Sequence, residues 1–148
     1  MEICNGNFLL STDKAKLQLH VIHGFLANES YWARNIPRAV VEKSIANALC
    51  FGVYEDEQQI GFARVITDNA TFAYLADVFV LPVYRGRGLA KWMMSCILAH
   101  LELQGLRRWL LATRDAHALY AQCGFHALEK PESFMELHNP HVYAQTHS

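Results

Sequence analysis

The sequence has no long apolar run and almost no net charge. None of its apolar stretches approaches the length that a bilayer span needs, and its first residues lack the basic-then-apolar pattern of a secretion signal. The formal net charge of −1 argues against a broad electrostatic surface for nucleic acid. We therefore expect a cytoplasmic protein that binds neither membranes nor nucleic acids.

Cysteine pairs and metal-ligand spacings are also missing. The four cysteines include no C-x-x-C pair, which favours reduced, mostly buried thiols over a disulfide or zinc framework. His20 and His23 lie three residues apart on a segment that we predict to be a strand, where their side chains would face opposite ways. We expect no metal site.

What the sequence does contain is the composition of an ordinary folded domain. Hydrophobic residues make up 52% and charged residues 18% of its 148 residues, which is enough to bury one substantial core. There is no internal repeat and no low-complexity linker. We therefore predict a single domain over residues 1–148.

Hydrophobic periodicity predicts an alternation of strands and helices. The predicted elements are a strand at 16–22, helices at 28–36 and from 37 onward, strands at 50–54, 60–67 and 71–81, a helix over about four turns from 88 that ends by 105, a strand at 108–112, a helix at 115–122 and a strand at 134–137. This order, with one βαβ crossover in the middle, indicates a mixed α/β domain.

The most informative stretch is residues 80–94, VLPVYRGRGLAKWMM, where two glycines and two arginines separate a predicted strand from a predicted helix. The main-chain N–H groups of residues 86–90 would open that helix without intrahelical partners. Their partial positive charge, together with Arg85 and Arg87, favours a bound anion, and Gly86 and Gly88 would let it approach the main chain. The alternative is a tight connection with solvated arginines.

Two common nucleotide-binding patterns do not fit this stretch, but a third pattern does. Lys91 stands where a dinucleotide fingerprint needs its third glycine, and no Gly-Lys-Ser/Thr ends a P-loop. The arrangement Arg85-x-x-Gly88-x-Ala90 resembles the R/Q-x-x-G-x-G/A signature of the GNAT superfamily of acyl-CoA-dependent N-acetyltransferases. Residues 113–125, TRDAHALYAQCGF, are similar to the T-x-D-A-x-x-L-Y-x-x-x-G-F segment of that family. The resemblance covers roughly residues 60–125.

The resemblance implies both a fold and a cosubstrate. The fold is of the GNAT-like α/β (α+β) type, in which helices flank a mixed, mostly antiparallel sheet whose two central strands splay apart. The cosubstrate is acetyl-CoA, whose pantetheine arm would lie in the splay, where main-chain N–H groups of Val78, Phe79 and Val80 meet the thioester oxygen. The residues implied to hold its pyrophosphate are Arg85, Gly86, Arg87, Gly88, Leu89 and Ala90.

Tyr120 is the candidate general acid. The resemblance places it near the sulfur of the coenzyme, and a phenol of pKa about 10 roughly matches a thiol of pKa about 8.5 to 10, so a proton can be shared as the thiolate departs. The alternative is a packed aromatic residue whose hydroxyl reaches water.

The general base is less clear from the residues. Asp77 is a lone carboxylate in the apolar stretch FAYLADVFVLP. Burial without a partner would be expensive and would favour proton uptake, as a base requires. Equally, Asp77 could bond main-chain N–H groups or a neighbouring arginine. Tyr74 and a water held between strands are the other candidates.

Aromatic residues predict the walls of the acceptor site. Phe25, Tyr31 and Trp32 cluster in the segment before the second helix, and Tyr74 lies on the apolar strand. They suit an apolar or aromatic amine, or an ammonium group through cation–π attraction, although ordinary core aromatics would give the same pattern. No acidic cluster suits a basic protein tail, so we expect a small-molecule amine.

Together these features predict direct transfer of an acetyl group from acetyl-CoA to a primary amine within a ternary complex. The alternatives are a non-catalytic module that binds or senses acyl-CoA, a protein N-acetyltransferase, and an acyl group larger than acetyl. Since dimers are common in the family, a homodimer is a further expectation.

Overall fold

Six strands form one sheet whose spatial order follows the chain. The computed structural model describes residues 1–144. Each strand is antiparallel to its neighbour from the first to the fifth, and the sixth runs parallel to the fifth. The mixed, mostly antiparallel sheet is therefore confirmed. Its strands are β1 (Glu2–Asn5), β2 (Phe8–Ser11), β3 (Leu49–Glu55), β4 (Gln58–Thr67), β5 (Phe72–Val80) and β6 (Arg108–Leu111).

Helices cover both faces of the sheet. They are α1 (Leu19–Asn28), α2 (Arg38–Ala46), α3 (Leu89–Leu98) and α4 (His117–Gln122). One buried cluster lies under α1 and α2, and the other lies under α3 and α4. Phe62 belongs to the first and its neighbour Ala63 to the second, because successive side chains of a strand point to opposite faces. Within residues 1–144, no helix is long and apolar enough to cross a membrane.

The first helix corrects two predictions. The segment 16–22 alternates like a strand, but it enters α1, where Ile22, Phe25 and Leu26 are buried at helical spacing. His20 and His23 therefore lie on a helix, three residues apart, instead of on opposite faces of a strand. The helix predicted at 28–36 is also wrong, because α1 ends at Asn28 and residues 29–36 form an irregular loop.

The two ends of the chain differ from the prediction as well. The β1–β2 hairpin was not predicted, although Asn5-Gly6 is a strong turn signal and Gly6 has a φ of 60°. The predicted strand at 134–137 does not form. Met135 and Leu137 are exposed, and β6 is the edge of the sheet in the described part of the chain.

The third helix is shorter than predicted. It ends at Leu98, and the segment up to Gly105 contains a short 3-10 turn, Leu101–Leu103. His100 caps this turn, since its ring accepts a hydrogen bond from the N–H of Glu102. The helix does not continue to Leu101, although the apolar spacing predicted it. Leu101 is 89% exposed, so its side chain packs on no core that would favour a longer helix.

The strands β5 and β6 separate after four paired residues. Their register runs from Phe72 opposite Arg108 to Leu75 opposite Leu111. Beyond Leu75, β5 continues to Val80 beside β4 while β6 has ended. The edge of residues 76–80 therefore faces a gap. The pairing of β5 with the edge strand β6 therefore ends before β5 does, and the splay of two central strands stays a prediction.

A bulge bends β5 where this gap opens. Phe62 pairs with Phe79 and Arg64 pairs with Ala76, so Asp77 and Val78 both stand opposite the single residue between Phe62 and Arg64. Asp77 has a φ of 55°, in the left-handed region that few residues other than glycine adopt. An extra residue of this kind increases the local twist of a strand and redirects a side chain. Here the redirected side chain is a carboxylate.

Tyr54 offers a test of this core. Its hydroxyl is buried and has no hydrogen-bond partner among residues 1–144, and burial raises the pKa of Tyr54 well above its ordinary value. Because an unpaired buried hydroxyl is unfavourable, Tyr54→Phe should raise the free energy of unfolding by about 1 kcal/mol. The measurement is urea denaturation.

The control for this test is Tyr84→Phe, which removes a hydroxyl that donates to Glu55 over 3.1 Å. It should leave the free energy of unfolding unchanged or lower it by about 1 kcal/mol at most. A loss of stability in Tyr54→Phe larger than that of the control would show that the Tyr54 hydroxyl is satisfied.

Candidate active site

The loop between β5 and α3 has an open main chain. Gly86 and Gly88 have φ values of 80° and 75°, which strongly favour glycine. A Cβ atom at either position would meet no atom within 4 Å. Gly88 is the N-cap of α3, and no side chain among residues 1–144 bonds the first N–H groups of that helix. These donors are therefore free to bind an anion.

The two arginines of this loop are placed differently. The Nε of Arg85 donates to the carbonyl of Val80 over 3.0 Å, which ties the loop to the end of β5. The guanidinium of Arg87 lies 5.3 Å from the centroid of the Tyr84 ring. Within residues 1–144, neither arginine has a carboxylate within 4.0 Å. Both positive charges are therefore available beside the open main chain.

Tyr120 of α4 lies where the gap between β5 and β6 meets two cavities. The side chain is buried, with 8% of the residue exposed, and it lines both cavities. Burial, followed by the nearby Tyr31, raises the pKa of Tyr120 to about 12. The phenol is therefore protonated at neutral pH and can donate a hydrogen bond, although this pKa lies above the range of about 8.5 to 10 in which it would match a departing thiol.

Asp77 is bound on both of its carboxylate oxygens. The Nε of Arg64 donates to Oδ2 over 2.9 Å, and the Nε1 of Trp32 donates to Oδ1 over 2.8 Å. The Arg64 and Asp77 side chains are 16% and 9% exposed. Of the alternatives that the sequence left open, the bond to a neighbouring arginine is present. The unpartnered burial that would favour proton uptake is therefore not what the structure shows, and the role of Asp77 as a base stays a prediction.

Arg64 is one of the cavity residues that the sequence analysis missed, and the one paired with Asp77. It lies in β4, in the apolar run IGFARVIT, just as Asp77 lies in the apolar run of β5. Two lone charges of opposite sign in adjacent apolar strands indicate a buried ion pair, since each would be too costly to bury alone. That signal is present in the sequence, although it shows only once the strands are paired.

The loop of residues 29–36, called the 29–36 loop below, bridges β5 and the turn after β6. Trp32 donates to Asp77 at the β5 bulge. The hydroxyl of Tyr31 accepts from the main-chain N–H of Arg114 over 2.7 Å. The two rings meet edge to face with centroids 5.0 Å apart. A segment predicted as a helix is thus held in place by bonds to two distant parts of the chain.

A cavity of about 710 Å³, called the central cavity below, lies between these elements. Its size suits a small molecule. It brings together Tyr31, Trp32, Tyr74, Asp77, Val78 and Tyr120 among the predicted residues, and adds Arg64, Arg114, Asp115, His138 and Tyr143. Phe25 does not reach it. That ring is buried under α1 and stacks on Phe79 with centroids 4.1 Å apart.

The second cavity, of about 780 Å³, lies between β6, α4 and residues 124–134. Trp109 and Phe134 contribute to its walls, and the Arg108 guanidinium stacks over the Phe134 ring at 4.7 Å. Of the predicted site residues, Tyr120 lines this cavity. Tyr120 is therefore shared by the walls of both cavities.

Comparison with known proteins identifies what this arrangement resembles. The model of the Acetyltransferase (GNAT) family matches residues 19–125. A Gibberella zeae protein named as an acetyltransferase is 33% identical over 139 residues, which cover 79% of this chain and 77% of that protein. The crystal structure of a protein assigned to the GNAT family from Xanthomonas campestris pv. campestris is 50% identical, has a TM-score of 0.91, and covers 93% of this chain and 97% of its own.

A shorter similarity concerns an enzyme with a stated substrate. The [ribosomal protein bS18]-alanine N-acetyltransferase of Haemophilus influenzae is 30% identical over 80 residues, which cover 51% of this chain and 53% of that protein.

The buried ion pair of the site can be tested by stability. Arg64→Met leaves the Asp77 carboxylate buried without its cation, so the free energy of unfolding should fall by about 3 kcal/mol. Adding Asp77→Asn, which removes the charge and keeps an acceptor for Trp32, should recover part of that loss. Urea denaturation of the single and double variants measures both effects.

The matched control is Arg38→Met, which breaks an ion pair between exposed side chains on α2, Arg38 and Glu42. This change should cost no more than about 0.5 kcal/mol. If Arg64→Met were as mild as Arg38→Met, the pair with Asp77 would not organise the site.

Proposed function

The chain belongs to the GNAT family of acetyltransferases, and we propose that it transfers an acetyl group from acetyl-CoA to the primary amine of a small molecule. The transfer is direct, within a ternary complex. The observation that carries the proposal is the position of Tyr120, a buried and protonated phenol at the gap between β5 and β6, on the wall of a cavity of small-molecule size.

The proposed coenzyme site joins the open loop to the gap. The pyrophosphate binds the free N–H groups of residues 86–90, and Arg87 adds a positive charge from the side. Arg85 contributes charge while it fixes the loop to β5. The pantetheine arm lies along Val78, Phe79 and Val80, where the β5 edge has no β6 residue opposite it.

In the proposed reaction, the amine nitrogen forms a bond to the thioester carbonyl carbon, and the carbon–sulfur bond then breaks. The negative charge that develops on the carbonyl oxygen is met by main-chain N–H groups of the β5 edge. The nitrogen loses a proton and the sulfur gains one. Tyr120 donates its hydrogen bond to the departing sulfur and supplies the proton as the thiol leaves.

Deprotonation of the amine is the second requirement. An alkyl amine of pKa about 10 is neutral in roughly one molecule per thousand at pH 7, which corresponds to about 4 kcal/mol. Asp77 is the proposed base. Its oxygens each receive one hydrogen bond, and a carboxylate oxygen has a second lone pair for a further donor. Tyr74, on the wall of the same cavity, is the alternative.

A second candidate is a protein N-acetyltransferase. The similarity to the enzyme that acetylates ribosomal protein bS18 favours it. A non-catalytic acyl-CoA sensor would have no use for the buried phenol of Tyr120, so the structure supports an enzyme over a sensor. Release of free thiol from acetyl-CoA in the presence of amines or of peptides distinguishes the three.

The acid role of Tyr120 can be tested with one substitution. Tyr120→Phe keeps the ring and removes the proton donor, so kcat should fall about 100-fold while the KM for acetyl-CoA changes less than about threefold. The measurement is thiol release under saturating amine. Tyr54→Phe makes the same chemical change outside both cavities and should leave kcat unaltered.

The pH dependence follows from the raised pKa of Tyr120, which is about 12. An acid must be protonated to act, so its contribution is present below that value and is lost as the pH rises through it. Loss of activity below pH 10 must therefore come from another group. An unchanged kcat in Tyr120→Phe would remove this residue from the mechanism.

A further inference from the structure

Arg114 is an exposed residue on the wall of the central cavity, and it contacts Tyr31 in two ways. Its main-chain N–H donates to the Tyr31 hydroxyl over 2.7 Å, and its guanidinium lies over the same ring, 3.9 Å from the centroid. Arginine side chains on a surface ordinarily lose entropy when a ligand fixes them. The Arg114 side chain is already oriented by its stacking on Tyr31. This orientation favours binding of a ligand through the N–H donors of the planar guanidinium.

The charge of Arg114 has no counterion in the described part of the chain. The other arginine of the central cavity, Arg64, is paired with Asp77 over 2.9 Å. Within residues 1–144, no carboxylate lies within 4.0 Å of the Arg114 guanidinium, although the neighbouring Asp115 also lines the cavity. The uncompensated guanidinium is therefore a site for an oxyanion, which it can bind through two parallel hydrogen bonds.

The positions of Arg114 and Asp77 are linked through adjacent residues. Tyr31 holds Arg114 and Trp32 holds Asp77. The two aromatic rings are 5.0 Å apart, and consecutive Cα atoms are only about 3.8 Å apart. Asp77 and Arg114 both line the central cavity, whose volume of about 710 Å³ suits a single small molecule.

We propose that the acceptor is a small zwitterion, an amine that also carries an oxyanionic group, and that Arg114 binds this group. This inference rests on the proposed function for the identity of the cavity as the acceptor site. The ammonium is drawn toward Asp77, and the carboxylate or phosphate of the same molecule pairs with Arg114. Tyr31, Trp32 and Tyr74 contact the body between them.

The test uses amines in matched pairs that differ in the anionic group. The pairs are phenylalanine with phenethylamine, 6-aminohexanoate with pentylamine, and phosphoethanolamine with ethanolamine. For at least one pair, wild-type kcat/KM should favour the anionic member about ten- to a hundredfold. The first two pairs report a carboxylate and the third reports a phosphate, so the preferred pair identifies the group.

Substitution of Arg114 tests whether this residue is responsible. Arg114→Gln should bring the ratio of kcat/KM between the two members of the preferred pair close to one. Arg114→Lys should retain part of the wild-type preference for the anionic member. Both keep the main-chain bond to Tyr31. Arg34→Gln is the matched control, since it removes an exposed charge of the 29–36 loop that does not line the central cavity. It should keep the wild-type preference.

Binding without transfer separates this inference from the proposed function. Titration calorimetry of the same six amines should show tighter binding of the anionic member and loss of that difference in Arg114→Gln. If thiol is released from none of the amines while this binding pattern holds, the inference stands and the proposed transfer to small amines fails. Equal kcat/KM and equal affinity within every pair, or a preference that survives Arg114→Gln, would overturn the inference.

Discussion

The carboxylate of Asp77 joins three parts of the chain that the site requires. It receives one hydrogen bond from Arg64 of β4 and another from Trp32 of the 29–36 loop, while its own residue forms the bulge in β5. The left-handed φ of Asp77 is unfavourable for most residues. The bonds compensate for this conformation. A buried ion pair adds little net stability compared with apolar packing, so its main effect is to fix geometry.

That geometry gives the two halves of the site different properties. On the side that we propose for the coenzyme, a loop with two left-handed glycines presents N–H groups and two arginines, and the β5 edge lies open beyond Leu75. On the side that we propose for the acceptor, aromatic side chains and the Arg64–Asp77 ion pair line the central cavity. Tyr120 lies between them, and burial keeps its proton in place. An acyl-transfer site needs both halves because the thioester must meet the amine away from bulk water.

The sequence predicted the parts of this structure that local pattern encodes. The strands from β3 to β6, the helix after Pro37 and the loop at Gly86 and Gly88 each have a period or a turn residue of their own. The segment 16–22 was misread because an apolar alternation of three residues is too short to distinguish a strand from a helix. The strand predicted at 134–137 has the right composition but no neighbour to pair with in residues 1–144.

The contacts that build the acceptor side depend on long-range packing, which local pattern does not encode. Trp32 and Asp77 are 45 residues apart, and Tyr31 and Arg114 are 83 apart. Of the predicted aromatic residues, Tyr31, Trp32 and Tyr74 line the central cavity and Phe25 does not, and their role in binding an acceptor stays a prediction. Phe25 stacks on Phe79 in the core, whereas Tyr31 faces Arg114 at the central cavity. The end of α1 at Asn28 lies between these two aromatic residues.

The most direct test of this account is an amide nuclear magnetic resonance titration of the wild-type chain with acetyl-CoA. We predict that the largest shifts fall on Gly86, Gly88 and Leu89 and on the β5 residues that face the gap, with a smaller shift at the Trp32 indole. Shifts confined to residues 124–134 around the second cavity, or no shift at millimolar coenzyme, would contradict the account.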